Sequence, residues 1–312
     1  MAFPVASGVP SHSGNYTPTI FSKKMLVKFY RATVFGAIAN TDYEGEIKDQ
    51  GDTVEIRTLP DITISDYVKG AGTGDAQNLA PSTVTLLIDK GKKYNVNIFD
   101  VDRVQSDLAF QEKWSGEAGE QLKIAVDSDI LTNMVGDAAA DNKGATAGAV
   151  SGSVNLGASG APVIITKDNV VDYLVNMGLV MDEQNIPETD RWAVLPAWMC
   201  ARIKTSDLKD ASLTGDGKSI LRNGRIGMID RFEIFSSNNL YSVTDGTAAV
   251  KSFYPFAGHK SALTFASQLL KNETLKNPSD FGDIMRGLQV YGYKVIKSEA
   301  LVEGYVTPTS YS

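Results

Sequence analysis

Two long alternating runs flank a glycine-rich stretch, and together they limit what this chain can become. In the first, Val54, Ile56 and Thr58 fall on one side of an extended backbone and Glu55 and Arg57 on the other, the period-two pattern of a strand with one wet face. Ile62 and Ile64 carry a similar alternation past Pro60. After the turn Gly70-Ala71-Gly72-Thr73-Gly74 comes the second run, with Val84, Leu86 and Ile88, a charged turn over 89–93, then Tyr94, Val96 and Ile98. The pattern predicts an extended two-stranded arm. A two-stranded ribbon has no core of its own and is marginal in water unless another surface covers it. A partner surface is therefore implied before anything else is known.

The rest of the chain supplies the body that such an arm must leave. Residues 1–20 are rich in Ser, Gly, Pro and Thr with little periodicity, the composition of an arm that orders only against something else. Across 21–38 Phe21, Met25, Leu26, Phe29, Tyr30, Val34 and Ala37 recur every three or four residues, which predicts a short amphipathic helix. The longest helical pattern covers 102–136: Val104, Leu108, Trp114, Ala118, Leu122, Val126, Ile130 and Met134 mark one stripe, opposite Glu112, Glu117, Glu120, Lys123 and Asp127. Gly116 and Gly119 inside it allow a bend or a close backbone crossing, or lie at an open site or a break between two helices. Each costs on the order of 1 kcal/mol against alanine.

Residues 137–162, rich in Ala, Gly, Ser and Asn, predict a loop or a loose hairpin and a boundary between lobes. Beyond them the pattern predicts a helix from 166 to before Pro187, a buried strand over 192–195, and a short helix from Pro196 to Lys204. Strand character returns over 224–240. A strand and then a short helix with Leu263, Phe265, Leu269 and Leu270 follow, and 281–302 reads as a strand pair or one long bent strand. The mixture is α+β.

Composition excludes several function classes. Thirty Lys and Arg against 37 Asp and Glu give a net charge of -7, contrary to a protein whose task is to grip nucleic-acid phosphates, though not to a wall that encloses nucleic acid. Cys200 is the single cysteine, so no intramolecular disulfide forms, and its neighbours read as a packed helix face rather than a reactive site. No run of 18 apolar residues marks a membrane helix, and the first residues lack the pattern of a secretion signal.

Chemistry is equally sparse. The two histidines, His12 and His259, have no metal-ligand spacing, and one cysteine makes no zinc cluster. Gly215-Asp216-Gly217-Lys218-Ser219 ends like a phosphate-binding loop, but Ser212 stands where its first glycine belongs. No catalytic residue, metal or cofactor is assigned.

Several strings, in their order, carry a resemblance: Gly51-Asp52-Thr53-Val54, Arg191-Trp192-Ala193-Val194-Leu195-Pro196, Gly224-Arg225-Ile226-Gly227, the run from Phe232 to Leu240, Phe256-Ala257-Gly258-His259-Lys260-Ser261-Ala262, and Val290-Tyr291-Gly292-Tyr293-Lys294-Val295. The chain resembles the major capsid proteins of tailed bacteriophages with the HK97-type fold, especially podovirus-like members. The resemblance implies an N-terminal arm (1–45), an extended loop (46–100), a spine helix with a peripheral-domain segment (101–165), an axial domain (166–275) and returning peripheral strands with the C-terminus (276–312).

It further implies a homo-oligomer of hexamers and pentamers closing into an icosahedral shell around double-stranded DNA without sequence-specific binding, assembled in the host cytoplasm. A separate scaffolding protein and a portal are implied partners, and a decoration protein is a further one. An encapsulin-like compartment shell is the alternative within the same fold, and a soluble α/β enzyme the alternative outside it. The expected intersubunit residues are Glu55, Arg57, Asp61, Asp66 and Lys69 in the loop and Phe21, Met25 and Phe29 in the arm. Asp216, Lys218, Arg222 and Arg225 are expected around the capsomer axis, with a mobile turn as the bland reading, and Trp114 and Trp192 are expected as core anchors.

Overall fold

A computed structural model describes residues 31–42, 53–60, 62–70, 76–101, 110–206, 227–245 and 251–309. Its centre is a helix, here α2 after the short α1 (Phe35–Ile38), that runs unbroken from Phe110–Asn133. Twenty-four residues at 1.5 Å each make it about 36 Å long. Leu122, Val126, Ile130 and Met134, four apart, are all buried, so the stripe read from the sequence is the face that meets the core. Gly116 and Gly119 have open space where a Cβ would stand. They mark an open site in a continuous helix, not a break or a crossing.

Against that helix lies a three-stranded antiparallel sheet in the order β11-β12-β3, with β3 at Lys90–Phe99, β11 at Leu263–Lys276 and β12 at Gly282–Val295. Two expectations are corrected here. The charged stretch 89–93 is not a turn between strands, because β3 already begins at Lys90. Lys90 and Lys92 turn towards α2, their Nζ atoms 3.9 and 3.8 Å from the Asp129 carboxyl, so charge that reads as a turn is absorbed across the sheet–helix interface. The short helix expected around Leu263, Phe265, Leu269 and Leu270 is a strand, paired with β12 along its whole length apart from a bulge between Ser267 and Leu269. Sheet pairing overrides the local pattern there.

The second body is a five-stranded sheet in the order β13-β10-β5-β7-β6, with β13 at Leu301–Glu303. At its centre β5 (Arg191–Leu195) is buried at every position. It pairs in parallel with β7 (Phe232–Ser236) and antiparallel with β10 (Phe256–His259). On the rim β6 (Met228–Ile229) meets β7 through Asp230 and Arg231 at φ 47° and 66°, the positive angles of a two-residue hairpin whose twist suits the strands. Helices α3 (Val170–Glu183) and α4 (Ala197–Thr205) contribute Tyr173, Leu174, Met177, Val180, Met181, Met199 and Ile203 to this core. A small sheet of β4 (Val163–Ile165), β14 (Val306–Pro308), β9 (Lys251–Phe253) and β8 (Ser242–Thr244) completes the lobe.

Residues 137–162 are better packed than their composition suggests. Ala147, Val154 and Leu156 are buried in the lobe's core, and Ala147 exchanges backbone hydrogen bonds with Val154 at 2.8 and 2.9 Å. Gly157 has φ +90°, and a Cβ there would strike the carbonyl of Tyr305. Small residues serve close approach here, not looseness.

At the N-terminal side the expected helix over 21–38 is also revised. Residues 31–34 are not helical, and the helix begins at Phe35. The backbone N–H groups of Val34 and Phe35 both donate to Asp127 Oδ1 at 2.9 Å, so a carboxyl from α2 supplies the cap that starts α1. Residues 21–30 lie outside the described residues.

Candidate intersubunit interface

The root of the extended loop is built from β1 (Thr53–Arg57) and β2 (Thr83–Leu87), paired antiparallel from Thr53↔Leu87 to Arg57↔Thr83. Alternation sends Ile56 and Leu86 to the inner face, where with Ile88 they bury against Ala266, flanked by Val54, Val290 and Ile296. The root crosses β12 at Gly292, where a Cβ would collide with the carbonyl of Leu87, so glycine is what permits this approach.

Beyond the root the loop leaves the body. Thr58 and Ser82 still bond, backbone N–H to carbonyl at 2.8 Å and hydroxyl to hydroxyl. Farther out the Gln77 side chain stands in for a strand: its Nε2 donates to the Thr63 carbonyl at 2.6 Å and its Oε1 accepts the Thr63 N–H at 3.1 Å. Every described residue from Ile62 to Gly70 is exposed. Leu59 is 95% and Ile64 87% accessible, and Ile62, Tyr67, Val68 and Leu79 are exposed with them. A cluster of large apolar side chains free of its own body is the mark of an interaction surface.

The charged residues expected in this loop fall as follows. Glu55 and Arg57 stand on the wet face of β1, and Asp66 and Lys69 on the exposed outer loop. Asp61 lies outside the described residues, as do Phe21, Met25 and Phe29 of the arm and Asp216, Lys218, Arg222 and Arg225. Trp192 is 2% exposed in the core beside Gly258. Trp114 is partly buried on α2. The apolar tip was the part that reading for charge missed, although the alternation of Ile62 and Ile64 without a pairing strand was its signal.

Ionic and polar clusters elsewhere serve the fold. Arg191, wholly buried, donates from Nε to the Pro187 carbonyl at 2.8 Å and from Nη2 to the Ile186 carbonyl at 2.6 Å, with Asp182 Oδ1 2.7 Å away. Burial raises the Asp182 carboxyl, and hydrogen bonds from Arg191 and Arg231 outweigh it, leaving the group below its usual range. Burial pushes the Cys200 thiol up and the half-buried His259 down. Among the described residues no group of three or more His, Cys, Asp or Glu is placed to hold a metal ion, and no helix is long and apolar enough to cross a membrane.

Comparison with known proteins bears on this geometry. The family model described as "Phage capsid protein" matches residues 82–303. No curated protein sequence matches the chain. A solved structure from Mycobacterium phage Che8 is 28% identical, with a TM-score of 0.75 over 93% of this chain and 97% of that one. The capsid of cyanophage P-SCSP1u is 16% identical, with a TM-score of 0.73 over 98% and 97%. The mature capsid of bacteriophage PhiM1 is 14% identical, with a TM-score of 0.68 over 95% and 93%. The chain therefore belongs to the phage capsid protein family, with an α+β, HK97-like fold and the role of a major capsid protein that self-assembles into an icosahedral phage shell.

Proposed function

We propose that this capsid protein forms hexamers and pentamers that close around double-stranded DNA, with the extended loop as a principal contact between neighbours. The observation that carries this reading is the loop tip, whose large apolar side chains stand clear of the chain's own body. A monomer that kept them in water would lose the stabilisation their burial offers, roughly 25 cal/mol for each Å² covered. The segments divide accordingly: loop over 46–100, spine helix and peripheral segment over 101–165, axial lobe over 166–275, returning strands over 276–312. Because β11 and β12 share one ladder, the last division falls between strands of one sheet, and β13 and β14 return to the lobe.

Charge supports a lining role. A chain of net charge -7 holds DNA by enclosure, since tight phosphate binding needs positive charge. A scaffolding protein and a portal are the expected assembly partners, a decoration protein a further one, and the host cytoplasm the expected place of assembly. Glu55, Arg57, Asp61, Asp66 and Lys69, with Phe21, Met25 and Phe29, are proposed at intersubunit contacts, and Asp216, Lys218, Arg222 and Arg225 around the capsomer axis.

Negative-stain microscopy of the purified chain, alone and co-expressed with its neighbouring gene products, tests the reading. Polyhedral shells or five- and six-membered rings are the expected result. A monodisperse monomer under every condition would overturn it.

A further inference from the structure

We infer that Glu303, Gly136 and Lys143 form a proton-operated latch on the turn that leaves α2, shut in acid and released as pH rises. This goes beyond the shell reading and does not depend on it. The latch sits where the chain passes between its two bodies. Residues 134–139 carry it from α2 towards the lobe, and 296–300 carry it from β12 into β13. Polar contacts stitch the two passages together. The Ala139 N–H donates to the Ser298 carbonyl at 3.1 Å, and Asn142 Nδ2 donates to the carbonyls of Glu299 and Leu301 at 2.6 and 2.9 Å.

Within this joint Gly136 is held at both ends by ionisable side chains. Its N–H donates to Glu303 Oε2 at 2.6 Å, and its carbonyl accepts from Lys143 Nζ at 2.6 Å. Gly136 takes φ +92°, the left-handed angle that glycine supplies just past a helix end. A Cβ there would meet nothing, so the turn has open space beside it. Glu303 is placed oppositely, 8% exposed within the lobe's sheet.

Asp137 and Lys143 from the turn, Tyr173 from α3 and Tyr254 from the stretch before β10 all act on or feel that carboxyl. Burial pushes both phenols up, so neither ionises where a carboxyl does. Burial also raises Glu303. The Gly136 N–H and Lys143 oppose it and Asp137 adds to it, and the group ends above its ordinary value. The closed joint therefore favours the neutral acid. Once ionised, the carboxylate accepts a stronger hydrogen bond from Gly136, yet being kept from water costs more. Parting from Gly136, whose outer side is open, gives it that water.

Hydrogen exchange of the unassembled full chain, followed from acid to neutral pH and corrected for the intrinsic rates of free amides, tests the latch. Protection over 134–139 is expected to fall through one transition lying above the ordinary glutamate value of 4.5, while β5 stays protected. Glu303→Gln imitates the neutral acid and should keep the turn protected throughout. The neighbouring charges should move the midpoint in opposite directions. Lys143→Gln, which keeps a donor for the Gly136 carbonyl but removes the positive charge, should move it up, and Asp137→Asn should move it down. A purely structural role for Glu303 would weaken the joint in each variant and leave no midpoint to move. Protection that stays flat with pH in the parent, or shifts of the same sign in the two neighbours, would overturn the inference. If Glu303→Gln does not fold, the opposed shifts decide alone.

Discussion

Asp127 and Asn239 meet inside the core, where Asn239 Nδ2 donates to Asp127 Oδ2 at 2.7 Å. The other carboxyl oxygen takes the N–H groups of Val34 and Phe35, and Asn239 Nδ2 also lies 3.3 Å from the carbonyl of Ala32. One fully buried side chain thereby ties the spine helix, the segment entering α1 and the turn after β7 into a single joint. Asp127→Ala takes an acceptor from three donors, two of these hydrogen bonds being buried, and each such loss costs about 1–3 kcal/mol. A destabilisation of about 3–5 kcal/mol is expected in urea titrations, and a change below about 1 kcal/mol would show that water replaces the carboxyl.

Gly292 is expected to tolerate no side chain. Gly292→Ala forces its Cβ into the Leu87 carbonyl, so the loop root must lift from β12, at a cost of about 1–3 kcal/mol typical of overpacking. Hydrogen exchange should rise in β1 and β2 while the lobe around β5 stays protected. Unchanged protection at the root would mean the crossing is looser than its geometry.

Glu303 gives a pH dependence of defined sign. Its carboxyl is buried in β13 (Leu301–Glu303), and burial raises it above the ordinary range, partly offset by the Gly136 N–H donated to Oε2 at 2.6 Å. An acid whose folded value is raised binds its proton more tightly folded than unfolded. Its contribution is therefore full below the unfolded value near 4.5 and declines as pH rises through the folded one. Glu303→Gln should remove that decline, so the variant and the parent should diverge in urea midpoint as pH rises from 4 towards neutrality. Parallel curves would assign the pH dependence elsewhere.

Arg57→Glu with Lys69→Glu is expected to impair shell assembly and leave the fold intact. Both side chains are exposed, and a single exposed pair is worth only about 0–1 kcal/mol, but a shell repeats the term at every copy. Circular dichroism should be unchanged while particle yield drops. Normal particles would remove both residues from the interface.

Much of this architecture is legible in the chain because its elements are long and consistently patterned. The four-residue spacing of Leu122, Val126, Ile130 and Met134 names the buried face of α2, and the alternation around Ile56 names that of β1. Legibility fails where a distant partner decides. Lys90 and Lys92 read as a turn because nothing local shows that Asp129 will face them. Leu263 and Phe265 read as helix because β12, their partner, comes later in the chain. The interface was legible as a need, an arm without a core, but the exposed apolar side chains of its tip were not, because Leu59, Tyr67, Val68 and Leu79 follow no strand alternation.

That lateness orders the life of the polypeptide. β3 belongs to the first third of the chain and its neighbour β12 to the last, and β4 waits for β14, which ends at Pro308. Contacts so far apart in sequence close slowly, and a chain emerging from the ribosome holds half of each ladder until β12 and β14 are free. Both sheets are thus completed by strands from the last third of the chain, so neither can be finished while that part is still being made.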